Sequence, residues 1–130
     1  MTTGITSFIS QYSVSQTVER VISLVEEKGF TVVATVPHSK AATNVGLALN
    51  EAVLILFGNP KVGTLLMQSQ LTAGLDLPLK VLVYIDHSGE VNACYTAPSS
   101  IAEKHGIDDR HDVIDTMTQG LATIVNEACK

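Results

Sequence analysis

The sequence predicts an α+β domain: a single, mostly antiparallel sheet with its helices packed on one face. Three observations predict it. Two segments, one after Ser13 and one after Asp109, carry apolar residues at helical spacing. Between them lie short β-branched and apolar runs of strand length. Near the C-terminal third, Asp86-His87-Ser88-Gly89 reads as a hairpin turn, which breaks the β-α-β alternation of a parallel doubly wound sheet.

The elements follow in order. Residues 4–12 suit a first strand, with Thr6, Phe8, Ile9 and Tyr12 fitting a half-buried pleat. Ser13 with Gln16 matches a capping box, and Val18, Val21, Ile22 and Val25 form one helical face that Gly29 ends. Residues 30–36 read as a strand stopped by Pro37, and residues 39–45 as a short Ala-rich helix closed by Gly46. Residues 52–57, "AVLILF", form an apolar run too short for a helix and read as a central strand. Asn59 and Pro60 make an N-cap and first-turn pair for a helix reaching about Gln70, and residues 71–78 are turn-like. Residues 79–85 and 90–96 flank the hairpin turn, Pro98 starts a short helix ending at Gly106, and an amphipathic helix closes the chain.

At 130 residues, with 45% hydrophobic and 16% charged residues, the chain is one ordered domain, residues 1–130. Eight basic against thirteen acidic side chains leave a charge of −5, which lacks the basic footprint of a nucleic-acid or anionic-membrane binder. No apolar run approaches the roughly 20 residues of a membrane span, and no signal peptide is visible. Cys94 and Cys129 have no metal-type spacing and read as reduced, packed thiols of a cytoplasmic protein. No histidine pair has zinc-type spacing either, so no metal and no cofactor are expected.

The segment 57–68, "FGNPKVGTLLMQ", begins like a nucleotide loop. Gly58 and Gly63 have the right separation, but Thr64-Leu65 stand where Lys and a hydroxyl residue are required, and Pro60 lacks an N–H donor. A nucleoside-triphosphate site is therefore not expected. Lys61, placed in a first turn that disfavours cations, hints at use, although a side chain extending into water explains it equally well. His38 ends a strand, where functional groups often sit; His105 suits the last turn of its helix; His87 and His111 read as surface. Cys94 lies mid-strand, where a thiol is inert, and no nucleophile elbow is present, so whether the chain is an enzyme stays open.

"FGNPKVGTLLMQ", "LDLPLKVLVYIDHSGEV", "PHSKAATNVGLAL" and "IAEKHGI" together resemble, in content and spacing, the domain of unknown function 302 family, over about Val18 to His105. The resemblance implies a compact α+β fold similar to the TATA-binding-protein-like arrangement, often homodimeric, and no established activity. Its polar pattern matches His38, Asn59, Pro60, Lys61, Gly63, Thr64, Met67 and His105. One departure is visible: Asn50-Glu51 stand where the family commonly has Arg-Pro, so a basic contact is missing. Two readings follow. In the first, His38, Asn59, Lys61, Thr64 and His105 surround a polar cleft at the strand ends that binds a small molecule. In the second, the same residues hold the fold of a non-catalytic homodimer, with Leu65, Leu66, Met67 or residues 79–85 buried across a two-fold axis.

Overall fold

A computed structural model of the chain describes residues 3–130. Five strands form one antiparallel sheet: β1 (Ile5–Ile9), β2 (Thr31–Pro37), β3 (Ala52–Gly58), β4 (Leu79–Ile85) and β5 (Val91–Thr96), in the spatial order β1-β5-β4-β3-β2. Every neighbouring pair runs antiparallel, so the expected "mostly antiparallel" sheet is wholly so. The helices are α1 (Val14–Glu27), α2 (His38–Asn44), α3 (Pro60–Ser69), α4 (Pro98–His105) and α5 (His111–Cys129). A 3-10 helix, Leu71–Asp76, occupies the segment that the sequence marks only as turn-like.

Local chemistry sets the joints. β1 is shorter than residues 4–12 because Ser10 turns inward, where its hydroxyl lies 2.6 Å from that of Thr17. The chain then enters α1 through the capping box, with Ser13 and Gln16 each accepting from the other's backbone N–H. Asn59 caps α3 by accepting from the Lys61 N–H at 3.0 Å, and Pro60 fills the first helical position, which has no intrahelical partner to lose. α5 begins two residues later than its periodicity suggests. Asp109 bonds the Ser69 hydroxyl and Arg110 donates to the Leu65 carbonyl, which ties this approach to α3 before the helix starts. Gly106, at φ 68°, provides the left-handed residue that ends α4.

Strand alternation divides the sheet into two unlike faces. Ile55 and Phe57 of β3, Val81 and Val83 of β4 and Ala93 of β5 are fully buried beneath α1 and α5, whose Val21, Val25 and Val125 are equally inaccessible. Phe57 meets Phe30 edge to face, with ring centroids 5.7 Å apart. On the opposite face the register aligns Ser7, Cys94, Leu82, Leu54 and Val36 in one row across all five strands. Ser7 is exposed and the other four are half-buried, and the same face shows Ile5 and Ile9 about half exposed. α2 buries none of its residues, and Val45, Leu47 and Leu49 after it are exposed.

Candidate functional site

The five sequence-derived candidates fall in three places. His38 follows Pro37, which pairs with Val53, whereas Asn59 follows Gly58, which pairs with Thr31. The length of β2 separates the two, about 20 Å at ~3.3 Å per residue. His38 is therefore at the other end of the sheet, and the single five-residue cleft does not assemble. The misplacement is one of strand direction: consecutive antiparallel strands send successive strand ends to opposite edges.

Asn59 and Thr64 do meet, in a cleft of about 510 Å3 where β2 begins, β3 ends and α3 starts. Its walls are largely apolar, not polar as expected: Phe30, Val62, Met67, Leu77, Leu79 and Met117 come from five different segments. The thioethers of Met67 and Met117 give it soft, adaptable sides. Lys61 is exposed beside this cleft and is not part of its lining, so its side chain extends into water. Gly63 lines the cleft, yet a Cβ there would sit 3.6 Å from Leu77, an ordinary contact, so close packing does not require glycine. A second apolar groove of about 550 Å3 adjoins it along α3 and α5 and shares Phe30, Val62, Leu79 and Met117.

His105 stands behind the cleft. Its ring is almost wholly enclosed, at 4% exposure, with Nδ1 2.9 Å from the Thr72 hydroxyl and Nε2 2.5 Å from Asp76 Oδ2. Lys104 reaches the same carboxylate at 3.1 Å. Lys104 and His105 thus both converge on the Asp76 carboxylate. The His105 hydrogen bond, opposed by partial burial and helped by Lys104, holds the Asp76 carboxyl below its usual range. Sequence spacing suggested a helix-dipole role for His105; its partners, four residues apart in the 3-10 helix, were missed because the segment reads only as a turn. Lys80 borders the same region, bonded to the Pro78 carbonyl at 2.7 Å, and burial lowers the pKa of its ammonium.

The hairpin turn is a self-contained polar unit. Asp86 Oδ1 accepts from the Ser88 hydroxyl and from the Ser88 and Glu90 amides, while Oδ2 accepts from the Asn92 side chain. These bonds, that from the Ser88 hydroxyl foremost, lower its pKa to about 2. Asn50, at the family's departure point, donates to the Ile85 and Asp86 carbonyls and so ties the hairpin to the loop before β3. Among the described residues no group of His, Cys, Asp and Glu is arranged to hold a metal ion, and no helix is long and apolar enough to cross a membrane. Cys94 and Cys129 are unpaired, and burial raises the pKa of both thiols.

Comparison with known proteins decides the family. The model of the domain of unknown function DUF302 matches residues 6–126. The chain belongs to the DUF302 family. A crystal structure of an uncharacterized conserved DUF302 protein from Bacillus stearothermophilus superimposes with a TM-score of 0.89, covering 99% of this chain and 100% of that one. At 18% identity that likeness establishes the fold alone. Among curated proteins, the Fluoride-specific ion channel FluC 1 of Brucella suis biovar 1 is 38% identical over 126 residues, 96% of this chain. The FluC 1 of Brucella abortus and the FluC 2 of Brucella melitensis match to the same degree. The chain spans about half the length of these relatives, 47–50%.

Proposed function

We propose that this DUF302 chain is a ligand-binding accessory domain that takes a small, mainly apolar molecule into the cleft at the start of α3. The observation carrying this reading is the cleft itself: about 510 Å3, largely apolar walls, and three hydrogen-bonding side chains, Thr31, Asn59 and Thr64, among its lining. That combination suits a ligand with an apolar body and one polar group, the body supplying burial and the polar group orientation. The word accessory is supported by the chain matching only about half the length of relatives named as fluoride-specific ion channels, with no membrane-crossing helix among its described residues. Fluoride is not assigned to the cleft, since apolar walls do not replace the hydration of a small anion.

Methyl-labelled methionine tests the reading directly. Of three methionines, Met67 and Met117 line the cleft. Screening amphipathic metabolites, with fluoride as a further arm, should find a compound that shifts both methyl signals and raises the melting temperature. Thr64→Trp, at an exposed lining position, should abolish that shift while leaving the free protein's melting temperature within a few degrees. A library without a single such compound, or hits that bind Thr64→Trp equally well, overturns the assignment.

A second reading, self-association, rests on a different observation: the half-buried Val36, Leu54, Leu82 and Cys94 of the open sheet face, with exposed Leu49 beside Leu82 and Tyr84. Of the expected α3 residues Leu66 is fully buried while Leu65 and Met67 are half-buried, and residues 79–85 offer Leu82 and Tyr84. Light scattering should report a dimer that Leu54→Lys converts to a monomer; a wild-type monomer removes this reading.

A further inference from the structure

We propose that Thr72, Asp76 and His105 form a polar clasp that positions the 3-10 helix as the movable wall of the α3 cleft. The inference rests on the cleft being the binding site. The 3-10 helix abuts α3 and α4 but buries little apolar side chain of its own: of its six residues only Ala73 is buried, and Leu71 and Leu75 are 83% and 78% exposed. A segment that leaves its leucines in water gains little from apolar burial and needs another fastening. The fastening present joins its two ends to one enclosed ring, Thr72 to Nδ1 and Asp76 to Nε2 of His105, with Lys104 outside on the same carboxylate.

The wall function follows from what lies on the other side. Gly74, midway between the clasped residues, borders the cleft, and a Cβ there would come within 3.1 Å of the Met67 sulfur. Leu77, directly after the helix, lines the cleft too. Any outward swing of residues 72–76 therefore moves the surface against Met67. His105 reaches no cleft atom itself, so it is a positioning residue acting through the segment it holds, as are Thr72 and Asp76.

Hydrogen exchange of the full chain, read together with the Met67 methyl signal and the affinity of the apolar dye ANS, tests this. Asp76→Ala and Thr72→Val should each raise exchange across residues 71–77 at least tenfold, leave β3 and β4 amides unchanged, move the Met67 methyl signal and alter ANS affinity several-fold. Thr72→Ser, which keeps the hydroxyl, should behave as wild type. Unchanged protection of residues 71–77 in Asp76→Ala overturns the clasp, and so does a loss of protection spread over the whole sheet. Local opening that leaves Met67 and ANS affinity unaltered overturns its role as a cleft wall. A wild-type chain that binds no ANS counts against the cleft as an apolar binding site, whereas the exchange and Met67 readings still decide the clasp.

Discussion

The two faces of the sheet are built from the same strands and differ in almost every other respect. Beneath α1 and α5, alternate residues of β3 and β4 are inaccessible and close-packed; one residue along, Leu54, Leu56, Leu82 and Tyr84 are only half covered by their neighbours. The lesson is that apolar content alone does not define a core. "AVLILF" is apolar on both sides, yet only one side has helices to cover it, because α1 and α5 both bring apolar stripes to that face while α2 buries nothing. The close-packed core lies on one face of the sheet, and half-covered apolar side chains lie on the other.

Truncation on the two faces would break that comparison or sharpen it. Phe57→Ala, which removes a fully buried ring and its edge-to-face partner contact, should cost about 3–5 kcal/mol in urea unfolding. Leu82→Ala on the open face should cost less than about half of that, because its side chain keeps partial access to water before the change. Equal losses would mean that a partner covers the open face in solution. Smaller still is Ser13→Ala, which deletes one arm of the capping box and should cost about 1 kcal/mol with the fold unchanged.

The smallest effect lies in the hairpin turn. Asp86 has its pKa lowered from 3.8 to about 2 in the folded chain, so its contribution is present above pH 3.8 and is lost as pH falls toward 2. An NMR titration should place its carboxyl well below ordinary aspartates. Asp86→Asn should flatten the acid limb of stability between those values, and an unchanged limb would show that the turn contributes nothing through charge.

Much of the fold was legible because its signals are local. The Ser13–Gln16 box, the Asn59-Pro60 opening, the hairpin at residues 86–89 and the glycine ends at Gly29 and Gly106 all fell where short-range chemistry puts them. The site was less legible, because its geometry is long-range. Asn59 and Thr64 share a cleft, but its walls include Phe30 and Met117, 87 residues apart, and no spacing rule joins those. His38 resembled a site residue by lying at a strand end, yet which end of the sheet it occupies depends on the register of β2 against β3. His105 looked like a simple cap because nothing local reveals that Asp76 folds back onto it.

The break in register between Val32 and Ala34 has a consequence for assembly of another kind. β2 is one border of the sheet, and this irregularity, with Pro37 at its end, spoils the regular row of amide and carbonyl groups that an incoming strand would need. β1, the other border, keeps an unbroken register over Ile5–Ile9. A sheet with a single regular border can join another copy across a two-fold axis, and there growth stops, since neither outer border offers a template. Polymerisation into fibres needs two such borders. The irregular β2 border is thus a poorer template for an incoming strand than the regular β1 border.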